Sequence, residues 1–141
     1  MSKPLILIVE DDGATAECLT DLLRAEGYDT QSLSAPGTVE AVRRMRPDLV
    51  LLDLIFPDSK GEDLLGAIRR DRELAGVPVV LLSAVPHLAD MAAGMPVQGY
   101  VSKPFELDHL LRTVGDLIGV PCLPDAQAGL HWTPAGLATN S

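Results

Sequence analysis

The sequence predicts an α/β protein: five parallel strands in one doubly wound sheet, with five helices covering both faces. Three observations carry that expectation. Short apolar runs alternate with amphipathic stretches along the chain. The strongest runs are apolar at every position rather than every second one, which means burial on both faces, as in a parallel sheet. The 141 residues, 47 % of them hydrophobic, suffice for a single domain with one filled core.

The elements follow in order. Leu5–Val9 is the first strand, and Leu19, Leu22 and Leu23 then repeat at helical spacing before Gly27, which stands where a C-terminal cap belongs. Tyr28–Leu33 is a weaker strand. Val39, Val42 and Met45 form a second helical stripe that Pro47 ends. Leu49–Leu54 is the third strand, and Leu64, Leu65 and Ile68 mark the third helix. Val77–Leu82 is the fourth strand, followed by a brief helical stretch at His87–Ala93 among Pro86, Gly94 and Pro96. Val97–Ser102 is the fifth strand. Leu107, Leu110, Leu111, Val114, Leu117 and Ile118 complete the chain's clearest helical stripe. Strict alternation of strand and helix implies right-handed crossovers. Residues 120–141, with Pro121, Pro124 and Pro134 and no period, read as a mostly irregular, loosely ordered tail, the alternative being that Trp132 with Leu130 docks on the domain or on a partner.

Composition narrows the function classes. No segment approaches the roughly 20 uninterrupted apolar residues of a membrane span, and Leu5–Val9 lacks the features of a signal peptide. The expectation is a cytoplasmic protein without membrane partners. The net charge of −9 argues against direct nucleic acid binding, which needs clustered cations. The clusters that exist, Arg43, Arg44 and Arg46, then Arg69, Arg70 and Arg72, fall at helix ends, where cations suit the macrodipole. Cys18 and Cys122 show no metal-binding spacing, and Cys18 reads as a partly buried helix residue. His87, His109 and His131 read as surface residues.

The chemistry lies at strand ends, where ligands bind in a doubly wound sheet. The first strand ends in Glu10-Asp11-Asp12, the third carries Asp53, the fourth ends at Ser83 and the fifth at Ser102-Lys103-Pro104. Carboxylates gathered in one cleft repel and call for a counter-charge, which a hard divalent cation with oxygen ligands supplies. An aspartate oxygen is a weak nucleophile, but phosphoryl transfer demands mainly in-line positioning and charge stabilisation. The Lys103 ammonium and the Ser83 hydroxyl suit the phosphoryl oxygens. Asp12 reads as a helix cap.

Four motifs at their present spacings make the chain resemble the receiver domains of two-component response regulators over residues 3–119. They are the acidic pair in Ile8-Val9-Glu10-Asp11, the aspartate of Leu51-Leu52-Asp53-Leu54, the Ser83-Ala84 pair, and Tyr100-Val101-Ser102-Lys103-Pro104-Phe105. The resemblance implies a flavodoxin-like sheet with strand order 2-1-3-4-5. The intact site followed by a tail too short for an output domain gives the expectation of a stand-alone, single-domain regulator, the alternative being one receiver cut from a longer chain. It implies Asp53 as phosphoacceptor, charged by a histidine kinase or histidine phosphotransfer protein. Mg²⁺ would be held by Asp11, Asp53 and the backbone carbonyl of Ile55, with Glu10 acting through water. Ser83 and Tyr100 would form the switch pair, Lys103 would hold the phosphoryl group, and the peptide before Pro104 would be cis. Output would be a change in protein–protein interactions, including a phosphorylation-dependent homodimer, and the only catalysis would be self-phosphorylation and autodephosphorylation.

Three departures bear on this. Asp12 adds a third acid to the usual pair, Phe56 stands before Pro57 where a smaller residue is usual, and the stretch from Ser83 to Lys103 is about two residues short. The fourth helix, part of the usual signalling face, is therefore expected to be truncated. Apolar Ile55 and Val85 stand where the family tunes access of water, which predicts slow autodephosphorylation. Other classes remain in view. A haloacid-dehalogenase-type phosphatase would need an aspartate where Ile55 stands. A flavodoxin-like nucleotide or flavin binder would need a glycine- and hydroxyl-rich loop where Glu10-Asp11-Asp12 stand. Within the receiver class, a relay intermediate and a terminal regulator read alike.

Overall fold

The computed structural model describes residues 3–35, 37–54 and 61–119. Five parallel strands alternate with five helices: β1 (Leu5–Val9), α1 (Gly13–Ala25), β2 (Asp29–Leu33), α2 (Val39–Met45), β3 (Leu49–Leu52), α3 (Gly61–Arg70), β4 (Val79–Ser83), α4 (Leu88–Ala93), β5 (Gly99–Ser102) and α5 (Leu107–Ile118). The strand order is β2-β1-β3-β4-β5. β1 lies between β2 and β3, with Ile6 to Val9 opposite Leu49 to Leu52 on one side and Leu5 to Val9 opposite Asp29 to Leu33 on the other.

Alternation of side chains along the strands divides the core in two. Ile6 and Ile8 of β1 join Leu19, Leu23, Leu110 and Val114 beneath α1 and α5. Leu7 and Val9 join Val42, Leu65, Ile68 and Ala92 beneath α2, α3 and α4. Every residue of β3 and β4 is buried, which explains why these runs carry no polar alternation. β2 is an edge strand with Thr30 as its one buried residue, hence its weaker pattern.

Strand boundaries differ from expectation where backbone donors go elsewhere. β3 stops at Leu52 because the Leu54 N–H turns to the Asp53 carboxylate, at 2.7 Å, instead of a neighbouring strand. β4 starts at Val79 because Pro78 has no N–H, although its carbonyl still accepts from Val50 N at 3.0 Å. β5 starts at Gly99, where the preceding Gln98 uses its side chain to accept from Val79 N at 2.8 Å.

Asp12 caps α1, accepting from Thr15 N at 2.9 Å. Cys18 lies exposed on α1, not partly buried as its helical position suggested, because the helix turns Leu19 and Leu23 inward. Gly27, at φ 98°, follows α1 in the left-handed region that glycine tolerates. α4 is six residues long, as brief as its sequence implied, with His87 left-handed before it. The Lys103–Pro104 peptide is cis. The expectations for residues 120–141, Cys122 and Trp132 lie outside the described residues.

Two side chains tie the helices to the frame. The buried Tyr28 hydroxyl donates to the Gly119 carbonyl at 2.9 Å, and burial beside Glu26 pushes its pKa up to about 12. Arg43 at the end of α2 pairs with Asp71 after α3, and that hydrogen bond holds the Asp71 carboxyl below its ordinary range.

A depressed carboxyl pKa adds stability that is present above the unfolded value and lost as pH falls through the folded one. Asp71→Asn is therefore expected to lower the urea midpoint at neutral pH, with the difference from wild type vanishing in acid. A difference that persists unchanged below the range where Asp71 titrates would show that its contribution is not electrostatic.

Two glycines of one helix, at its start and in its middle, make a second comparison. A Cβ on Gly61, the first residue of α3, would meet the Asp53 carbonyl oxygen at 2.0 Å, while one on Gly66 meets only the end of the Arg70 side chain at 3.2 Å. Gly61→Ala should destabilise by about 1–3 kcal/mol, since main chain must shift. Gly66→Ala should stabilise by about 0.4–1 kcal/mol through reduced unfolded-state entropy. Denaturant midpoints of the two variants check both signs.

Candidate phosphoacceptor site

The parallel sheet brings the carboxyl ends of β1, β3, β4 and β5 to one edge. Glu10 directly follows β1, and its N–H still donates to the Leu33 carbonyl of β2 at 3.0 Å. Asp53 directly follows β3, its N–H donating to the Val9 carbonyl at 3.1 Å. Because β1 and β3 are neighbours, the two acids stand side by side, 3 % and 7 % exposed. Asp11 is exposed at the rim. One carboxylate oxygen from each of Glu10, Asp11 and Asp53 lies within 4.8 Å of the others.

Lys103 supplies the counter-charge. Its N–H donates to the Ser83 carbonyl at 2.9 Å, which carries the β4–β5 pairing one residue past the strand. From there its ammonium donates to Glu10 Oε1 and, at 3.0 Å, to Asp53 Oδ2. Burial alone would depress the Lys103 pKa, but its hydrogen bonds to Glu10 and Asp53 outweigh that and raise it. For Glu10 the balance is opposite: burial raises its pKa above the ordinary carboxylate value against the lowering effect of Lys103 and of the Asp12 N–H. That N–H donates to Glu10 Oε2 at 3.1 Å.

Ser83 is 1 % exposed at the end of β4, with its hydroxyl accepting from Val85 N at 3.4 Å. Tyr100, on β5 opposite Leu81, is 39 % exposed, its ring at the surface rather than inside. Val85 is half-buried. Ile55, Phe56 and Pro57 lie outside the described residues, and so does the expected backbone carbonyl ligand. Glu10, Asp11, Asp53 and Lys103 are thus gathered as their strand-end positions implied. Sequence reasoning missed the Lys103–Glu10 pair, having given Lys103 only to a phosphoryl group. It also missed Gly61, whose lack of a side chain lets α3 begin against the main chain of Asp53.

An edge of a doubly wound sheet bearing clustered acids and a half-buried lysine defines a class, and comparison fixes it. This chain belongs to the response regulator receiver domain family, which residues 6–115 match. The DNA-binding response regulator MtrA of Mycobacterium tuberculosis is 42 % identical over 113 residues, covering 77 % of this chain and 48 % of MtrA. The chain therefore spans about half the length of the curated relatives it matches. Among solved structures, the receiver domain of the sensor histidine kinase PA1611 from Pseudomonas aeruginosa, with a magnesium ion coordinated in its active site cleft, has a TM-score of 0.73 at 27 % identity, covering 83 % of this chain and 98 % of that one. The chemotaxis protein CheY4 of Vibrio cholerae has the same fold, with a TM-score of 0.75 at 19 % identity over 82 % of this chain and 99 % of CheY4.

One expectation is overturned. The net charge of −9 argues against nucleic acid as a direct partner, yet relatives that share this stretch at 42 % identity are DNA-binding response regulators. Charge summed over a receiver domain says nothing about a domain joined to it. The matched half is the receiver half, so the likeness does not support DNA binding by this stretch itself. Among the described residues no helix is long and apolar enough to cross a membrane.

Removing Lys103 would leave Glu10 and Asp53 as adjacent, nearly buried carboxylates that lack its ammonium. Lys103→Met should cost roughly 1–3 kcal/mol of folding stability at pH 7, with Lys103's partial exposure keeping it at the low end of buried-pair losses. The cost should shrink as pH falls and Glu10, whose pKa burial already raises, takes up a proton. Chemical denaturation at several pH values measures this, and a pH-independent loss would mean that Lys103 acts through packing.

Proposed function

We propose that this receiver domain accepts a phosphoryl group on Asp53 from the phosphohistidine of a histidine kinase, with Mg²⁺, and thereby switches its protein–protein interactions. The observation that carries the reading is the meeting of Asp53 with Glu10, Asp11 and Lys103 at the carboxyl edge of the sheet. Three carboxylate oxygens within 4.8 Å of one another form an all-oxygen donor set that suits a hard divalent cation. Asp11 and Asp53 would hold the ion, with Glu10 through water; when bound, Mg²⁺ neutralises charge on the phosphoryl oxygens. The magnesium in the PA1611 receiver's cleft is in keeping with this.

In the transfer, a bond forms from an Asp53 carboxylate oxygen to phosphorus while the phosphorus–nitrogen bond breaks, its electron pair returning to the imidazole. Leu54 N–H holds Asp53 Oδ1 at 2.7 Å, so the orientation of the carboxylate is set before the reaction. Lys103 exchanges carboxylate partners for the phosphoryl oxygens, and the Ser83 hydroxyl donates a further hydrogen bond to them. The acyl phosphate brings new charge and acceptor oxygens that draw Ser83 and, behind it, Tyr100 inward from the surface. Val85 beside Ser83 limits access of attacking water. The chain's own catalysis is confined to this self-phosphorylation and its reversal by hydrolysis.

Incubation with acetyl phosphate or beryllofluoride should give a Mg²⁺-dependent adduct on the wild-type chain and none on Asp53→Asn, read by intact-mass and ¹⁹F NMR measurements. Absence of both adducts from the folded wild type would overturn the proposal.

A further inference from the structure

β5 carries Lys103 to the site, yet little holds that strand in place. It is the edge of the sheet, paired with β4 alone, and four residues long. Val101 is its one buried residue, while Tyr100 and Ser102 are exposed. The helix before it, α4, has only six residues.

At the opposite end of β5 from Lys103 stands a group that compensates. Arg69, in the last turn of α3, reaches across the amino ends of β4 and β5. Its Nε donates to the Pro96 carbonyl at 2.8 Å, and its Nη1 to the carbonyls of Ala75 and Val77 at 3.0 and 2.7 Å. Its Nη2 donates to Gln98 Oε1 at 2.7 Å. That same oxygen accepts from Val79 N at 2.8 Å, while Gln98 N donates to the Val79 carbonyl at 2.9 Å. The guanidinium thus ties the connections before β4 and β5 together and fixes the amide of Gln98 as the first rung of their ladder. A planar fork with several donors suits this, and a lysine could not reproduce it.

We propose that Arg69, through Gln98, is a positioning residue for Lys103: it sets the placement of β5 on β4 and so the reach of the ammonium to Asp53. Gln98 and Lys103 are separated by five peptide steps of extended chain, roughly 16 Å. Lys103 N bonded to the Ser83 carbonyl marks the far end of the ladder, and Gln98 bonded to Val79 marks the near end. A slip of one residue between them would move Lys103 by about 3.3 Å, well beyond a hydrogen bond's tolerance. The inference rests on the proposed role of Asp53 only where phosphorylation is used as a readout.

The test compares Arg69→Met, Arg69→Lys and the milder surface change Gln98→Ala with Tyr28→Phe, which removes a hydrogen bond made by the residue before β2, the opposite edge of the sheet. The direct readout is the ¹⁵N resonance of the Lys103 ammonium, free of any assumption about phosphorylation. Arg69→Met and Gln98→Ala should shift or broaden it, Arg69→Lys should fail to restore it, and Tyr28→Phe should leave it unchanged. Phosphorylation by acetyl phosphate should slow by about tenfold in Arg69→Met, with Mg²⁺ affinity unchanged, as expected for a misplaced catalytic group. If Arg69→Met and Gln98→Ala lower the melting temperature but leave the ammonium signal and the rate untouched, the role is structural and the inference is overturned. A wild type that forms no acyl phosphate would instead refute the proposed function, leaving the ammonium readout to decide this one.

Discussion

A single ammonium group holds the site together. Glu10 and Asp53 are nearly buried after adjacent strands, and two carboxylates so placed repel each other and call for a cation. Lys103 comes from the far edge of the sheet to donate to both. The arrangement requires all three strands to run parallel, so that their carboxyl ends share one edge, and requires β1 beside β3. It also leaves the acids poised, since a charge pair under partial solvent access can trade partners when a stronger anion or a metal arrives. The chemistry proposed for Asp53 is that trade.

The rest of the fold keeps this edge in place. Both faces of β3 are packed, so Asp53 emerges from a strand with no freedom to tilt. Gly61 lets α3 start against the main chain of Asp53 where any side chain would collide. Asp12 caps α1 and sends its own N–H to Glu10, so the same turn that starts the helix orients a site carboxylate. By contrast, the α4–β5 side is lightly built, with a six-residue helix, an edge strand and the exposed side chains of Met91, Tyr100 and Leu107. A domain whose site is firm and whose flank is light can change the flank without dismantling the site.

What the sequence made legible follows the same division. Buried strands announced themselves because both of their faces are apolar, and Glu10 and Asp53 stood out because each is polar directly after such a run, with Asp11 beside Glu10 and Lys103 marked by its place at a strand end before Pro104. Helix stripes in α1 and α5 proved to face the core at Leu19, Leu23, Leu110 and Val114. The strand limits were less legible, since they depend on where single N–H groups turn: Leu54 to the Asp53 carboxylate, Val79 to the Gln98 side chain. Contacts between distant residues were illegible. Arg69 read as a cation suited to a helix end, although its guanidinium serves acceptors as far along the chain as Gln98. Lys103 read as a ligand for phosphate, although its nearest carboxylate is that of Glu10. Cys18 was misplaced because one leucine stripe does not fix which neighbouring positions remain outside it.

The coupling between Lys103 and Glu10 organises the site, and a double-mutant cycle with Glu10→Gln and Lys103→Met measures it directly by folding stability at pH 7. If the ammonium organises the carboxylate pair, the two losses should be strongly non-additive, with a coupling of about 1–3 kcal/mol. Losses that add within about 0.5 kcal/mol would contradict it, leaving the two groups as neighbours without energetic interdependence.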